Sequence, residues 1–176
     1  MYKTIMATFL FALTFSGAFA QLSEKQLAQV KVDLIGAVES SKTTDSLYDK
    51  LNGLQRKTPI VVAYVGALQA LKAKHAWNPY SKVANINRSL KTLAQAVKMD
   101  NNNLEIRFIR FSIEYHTPAF LGFGKDLEED RKEILKHFRN ENFKSTGDQL
   151  VKNIAKFMIE SDRCTTEEIN VLKKFI

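Results

Sequence analysis

Apolar side chains recur three and four positions apart along nearly the whole of residues 22–176, and this spacing gathers them on one face of a helix turning every 3.6 residues. A chain patterned in this way hides its apolar stripes by packing helix against helix. The first stripe is Leu27, Val30, Leu34 and Val38. Ser23-Glu24-Lys25-Gln26 ahead of it has the spacing of a capping box, and Leu22 with Leu27 has that of a hydrophobic staple, so a helix is predicted to start there. A second, from Thr44 to about Leu54, turns Leu47, Leu51 and Leu54 inward and frays at Gly53.

A polar residue followed by proline marks three further starts. Thr58-Pro59, Asn78-Pro79 and Thr117-Pro118 each pair a side chain able to cap orphan amides with a first-turn residue that has no amide to orphan. From Pro59 to about His75 the pattern is apolar nearly all round, which predicts a central, buried helix; Ala63, Gly66, Ala67 and Ala70 give it a side where a neighbour can approach closely. The next helix runs to about Met99 with Val83, Ile86, Leu90, Leu93 and Val97 inward, until Asp100-Asn101-Asn102-Asn103 stops it and Asn103 caps its successor. Residues 104–115, LEIRFIRFSIEY, fit a strand by alternation and a helix by a wide apolar face. Helix is preferred because a lone strand would find no partner among such neighbours. Beyond Thr117-Pro118, the glycines at 122 and 124 close a short turn around Phe123. An amphipathic helix over 125–138 points Leu127, Ile134, Leu135 and Phe138 inward and Glu128, Glu129, Asp130, Arg131 and Lys132 outward. Ser145 to about Ser161 buries Leu150, Val151, Ile154, Phe157 and Met158, and a last helix capped by Thr165 carries Ile169, Leu172, Phe175 and Ile176. The expected fold is all-α: one compact domain of about seven to eight helices, an irregular bundle or stacked helical hairpins, with a short helix-pair solenoid as the alternative.

Residues 1–20 read as a cleavable signal peptide: Lys3, an uncharged apolar stretch from Ile5 to Phe15, then Ala18-Phe19-Ala20 ahead of a cut before Gln21. That stretch is too short to cross a bilayer, which takes about 20 residues, so no transmembrane segment is expected in the mature chain, 21–176. The expected location is exported, periplasmic or secreted. Cys164 is the sole cysteine, which excludes an internal disulfide framework and suits a small core residue. The formal charge of +7 falls by one when Lys3 leaves, a balance that favours anionic ligands or acidic partners and equally serves solubility.

Three stretches, AYVGALQALKAKHAWNPYSK (63–82), LEIRFIRFSIEYHTPAFLGF (104–123) and DLEEDRKEI (126–134), together resemble an uncharacterised family of short exported bacterial proteins. The resemblance covers about the middle half of the chain. It implies a helical fold and an envelope location, says nothing of activity, and its recurrent polar positions correspond to Lys74, Lys82, Glu105, Arg107, Arg110 and Asp130.

Little in the chain carries chemistry outright. The histidines His75, His116 and His137 lie in three separate segments without ligand spacing, so no metal and no cofactor are expected. Asp100 to Asn103 lacks the glycine and terminal glutamate of a calcium loop, and Gly122-Phe123-Gly124 is a helix-ending turn, not a phosphate cradle. Glu128, Glu129 and Asp130 suit a helix N-terminus through its dipole alone. No catalytic set is assigned, and nucleic acid is an unexpected partner for a chain with an export signal and no clustered basic run. The residues that stand out are Glu105, Arg107 and Arg110 on the aromatic helix, with Glu114 four residues beyond Arg110. Two guanidiniums among Ile106, Phe108, Ile109 and Phe111 need carboxylates. Either Glu105, Asp126 or Asp130 satisfies them internally, or they form a basic notch that receives a carboxylate or phosphate from a partner, helped by Tyr64, Tyr115 and His116. The function expected is a non-catalytic binding or scaffold module of the cell envelope whose partner is an envelope protein or anionic ligand. The alternative is a small helical enzyme or inhibitor whose active groups converge only in three dimensions.

Overall fold

Polar caps decide where the helices begin. The computed structural model describes residues 22–143 and 146–176. The expected leader, 1–20, and Ser145 lie outside the described residues. Helix α1, Glu24–Ala37, starts at Ser23, whose Oγ accepts from the Gln26 amide at 3.3 Å while the Gln26 side chain accepts from the Ser23 amide at 2.9 Å. Helix α2, Ser41–Asn52, begins earlier than the pattern suggested because Ser40, not a later residue, caps it by accepting from the Thr43 amide. Thr44 is instead buried, its hydroxyl donating to the Ala37 carbonyl at 2.8 Å and tying α2 to the end of α1. Helix α3 is Pro59–His75; Thr58 gives it no side-chain cap, and Pro59 carries the start. Helix α4, Pro79–Met99, is capped by Asn78, and α5, Leu104–His116, by Asn103. The ambiguous aromatic segment is therefore helix. A 3-10 turn at Ala119–Leu121 ends on Gly122 with φ of 71°, a left-handed conformation that disfavours a side chain. Helices α6, Leu127–Arg139, α7, Asp148–Glu160, and α8, Thr166–Leu172, complete an all-α fold with no strand among the described residues.

The small-residue side of α3 admits α4. A Cβ on Gly66 would sit 2.7 Å from Leu93 Cγ, and the Ser89 hydroxyl donates to the Gly66 carbonyl at 2.7 Å. Close approach and a buried hydrogen bond together offset the propensity cost of a mid-helix glycine, about 1 kcal/mol. Helix α3 also touches α1, α2 and α5. A solenoid of nearest-neighbour pairs has no such hub, so the arrangement is an irregular bundle.

Helix α5 joins the two halves of the core. Its Ile106 packs with Val62, Ala63, Leu93 and Val97 of α3 and α4, whereas its Leu104 and Phe111 pack with Ile134, Phe138, Ile154 and Met158 of α6 and α7. Burial on two sides explains why apolar residues crowd this segment too densely for one period to stand out. Several expected inward positions are not buried: Val38 and Val83 are 38% and 36% exposed, because they border an open groove described below, and Ile176 is half-exposed at the chain end. Asp130, expected to face solvent, is fully buried, for the reason given next.

Candidate functional site

The two arginines of α5 close on one carboxylate. Arg110 presents its guanidinium edge to Asp130, Nε to Oδ2 at 2.6 Å and Nη2 to Oδ1 at 2.7 Å. Arg107 donates from Nη1 to Asp130 Oδ1 at 2.9 Å and to Glu129 at 2.5 Å, and from Nε to the Asn101 carbonyl. Asp126 adds a carboxylate 3.3 Å from Arg110. Asp130 is drawn inward because two guanidiniums, 5% and 4% exposed, cannot remain in an apolar interior without a counter-charge. Burial pulls both guanidinium pKa values down, yet the hydrogen bonds and charges of Asp130 and its neighbours outweigh it and hold them above the ordinary arginine value. The Arg107 hydrogen bond likewise holds the Glu129 carboxyl below its usual range.

Glu105 does not belong to this cluster. It leaves α5 on another side, accepting from Tyr64 Oη at 2.5 Å and from Lys31 Nζ at 2.7 Å, and so fastens α1, α3 and α5 together. Burial, followed by the neighbouring Glu105 charge, raises the Tyr64 phenol well above its ordinary value. Tyr115 and His116 form a third place, at the C-terminal end of α5, where both rings meet Phe157 edge-on at 5.4 and 5.7 Å. The six residues singled out from the sequence thus fall into three pairs, five of the six residues on α5 and Tyr64 on α3. Nothing in the segment around Lys31 distinguishes it in sequence from a solvated lysine; only the packing of the helices brings it to Glu105. Arg131, expected outward, bridges Glu128 at 2.7 Å and Glu168 at 2.5 Å, clamping α6 to α8.

Glu114 departs from its expected pairing with Arg110, whose donors are turned to Asp126 and Asp130. It is 1% exposed, its Oε2 accepts from the Asp126 amide at 3.0 Å, and its Oε1 has no hydrogen-bond partner. Burial, then the Asp126 charge, raises its carboxyl to about 7.

Two cavities flank the end of α5. One, about 580 Å³, is bordered by Glu114, Tyr115, His116, Lys125 and Arg163. The other, about 680 Å³, is an apolar groove between α3, α4 and the end of α5, walled by Leu71, Ile86, Ile113 and Leu121, with Lys74, Lys82 and His116 among the residues around it. Among the described residues no three His, Cys, Asp or Glu side chains group as a metal site, and no helix is long and apolar enough to cross a membrane. Cys164 is half-buried beside the α6–α8 core, and burial pushes its thiol up, away from reactivity. Compared with known proteins, the chain matches no family model, no curated protein and no solved structure.

Proposed function

We propose that the chain is an exported, non-catalytic binding module of the cell envelope that works through the apolar groove between α3, α4 and the end of α5. The observation that carries this reading is the groove itself, about 680 Å³ with apolar walls and a few polar groups around them. Cavities of roughly 300–1,000 Å³ built in that way are the common form of a binding site. Lys74, Lys82 and His116 suit an occupant that carries an acidic or anionic group beside its apolar part. The charged groups of α5 support the non-catalytic half of the reading: Asp130, with Glu129 and Asp126, neutralises Arg107 and Arg110, and Glu105 is held by Tyr64 and Lys31. The leader-like pattern of residues 1–20 supports the exported half.

The test has two readouts. Mass spectrometry of the native protein is expected to find a chain starting at Gln21 in an envelope or secreted fraction. A photoreactive side chain at Leu121 is expected to give one defined adduct there, lost when Val83→Glu places a charge at the groove. An intact Met1 terminus in the cell interior, or an adduct indifferent to Val83→Glu, would end this reading. One observation favours an enzyme instead: the Glu114 carboxyl, lifted to about 7 beside a cavity that also holds His116 and Lys125, is poised for proton transfer at neutral pH. An activity of the purified chain that vanishes in Glu114→Gln, with a pH profile breaking near 7, would replace the binding module.

A further inference from the structure

Three aromatic side chains stand almost wholly in solvent on segments that border one groove. Trp77 is 96% exposed, Tyr80 87% and Phe120 87%. Trp77 and Tyr80 lie between Lys74 and Lys82, and Phe120 lies between Pro118 and Leu121; all four of these flanking residues border the same groove, so the α3–α4 corner and the 3-10 turn after α5 meet across it. Neither segment buries its aromatic rings in the protein core.

Cations accompany these segments. Lys74 and Lys82 lie on the groove side of the turn, Lys125 and Arg163 on the side of the second cavity, and His116 borders both. Of these cations Lys74 is partnered, by Glu39 at 3.3 Å and by the Val38 carbonyl at 2.7 Å, whereas Lys82, Lys125 and Arg163 form no ion pair among the described residues. Tryptophan and tyrosine, with an apolar ring and a polar tip, favour the headgroup level of a bilayer, and lysine or arginine beside them complements anionic headgroups.

We infer that this surface, Trp77, Tyr80 and Phe120 with Lys74, Lys82, Lys125 and Arg163, docks the protein on an anionic phospholipid bilayer. The aromatic tips enter the interface, to a depth of roughly 5–10 Å for a surface-bound element of this kind, and the ammonium and guanidinium groups remain at the phosphates. The inference shares Lys74 and Lys82 with the binding-module reading but rests on Trp77, Tyr80 and Phe120, which that reading does not use, so variants of these three test it separately.

Trp77 is the only tryptophan in the chain and reports its own insertion. The experiment mixes the purified chain with vesicles of phosphatidylcholine alone or with about a third phosphatidylglycerol, and reads Trp77 emission and co-sedimentation. Expected are a shift of emission to shorter wavelength and protection from iodide quenching on the anionic vesicles, with binding at least ten-fold weaker to the neutral ones. Each cation contributes about five-fold, so Lys82→Ala with Lys125→Ala loses roughly 25-fold, and added salt mimics the loss. Replacing Trp77, Tyr80 and Phe120 together by serine abolishes co-sedimentation without moving the melting temperature, since none of the three is buried. Equal binding to neutral vesicles, co-sedimentation without a change in Trp77 emission, or full retention by the triple variant would overturn the inference. So would an absence of vesicle binding combined with a single protein crosslinked from position 120 in cells, which would make the patch a protein-docking surface.

Discussion

Asp130→Asn is the sharpest test of how α5 and α6 are held together, because it keeps the shape of the side chain and removes the charge. In the native protein that carboxylate accepts three hydrogen bonds at 2.6 to 2.9 Å from two guanidiniums that are 5% and 4% exposed. Removing one partner of a buried ion pair costs about 3–5 kcal/mol, since the other charge stays buried and uncompensated. Here the loss is partly relieved. Arg107 retains Glu129 at 2.5 Å, and Arg110 retains Asp126 at 3.3 Å and Glu129 at 3.6 Å. The expected loss is therefore near the lower end, about 3 kcal/mol, equivalent to a fall in melting temperature of roughly 6–12 °C for a chain of this size. The assay is urea unfolding followed by circular dichroism at 222 nm, at pH 7 and moderate salt. Replacing all three charged residues, Arg107→Met, Arg110→Leu and Asp130→Leu, is expected to recover most of that loss, because an apolar set of similar volume needs no counter-charge. A loss below about 1 kcal/mol in Asp130→Asn would refute the argument, since it would mean that the guanidiniums are hydrated or satisfied elsewhere.

Glu114→Gln tests a dependence of stability on pH. The folded carboxyl titrates near 7 against an ordinary 4.5, so the folded state holds its proton more tightly, and the stabilisation this gives is complete below pH 4.5 and lost as pH rises through 7. The variant is expected to match the native protein at pH 4 and to exceed it by up to about 3 kcal/mol at pH 8, measured by urea unfolding across that range; equal stability at both ends would show that Glu114 is not desolvated. Gly66→Ala is expected to destabilise by about 1–2 kcal/mol despite the better helix propensity of alanine, because its Cβ would lie 2.7 Å from Leu93 Cγ; a thermal melt at or above that of the native protein would refute the close approach of α4.

Local chemistry accounts for how much of this architecture is legible along the chain. Ser23, Asn78, Asn103 and Thr165 cap helices through hydrogen bonds that span two or three residues, and Pro59 and Pro79 act through their own rings. Such interactions need nothing distant, so the starts of α1, α3, α4, α5 and α8 follow from spacing alone. The start of α2 is not legible in this way, because serine and threonine in Ser40-Ser41-Lys42-Thr43-Thr44 compete as caps, and Thr44 reaches the Ala37 carbonyl in another helix while Ser40 caps.

The candidate site was legible only as a requirement. Two arginines on an apolar helix demand a carboxylate, and the chain offers several. In sequence, Asp130 is one of three consecutive acids that all suit a helix N-terminus; only the docking of α6 on α5 turns it inward and leaves Glu128 outside. The same holds for Glu105 and Tyr64, which are 41 residues apart and meet because α3 and α5 pack against each other. Helix boundaries and apolar faces belong to the sequence because they are set by neighbours within a turn or two. The partner of each buried charge, the orphaned oxygen of Glu114 and the meeting of the α3–α4 corner with the turn after α5 at one groove belong to the tertiary structure, since each depends on how close packed helices bring groups that the chain itself keeps distant.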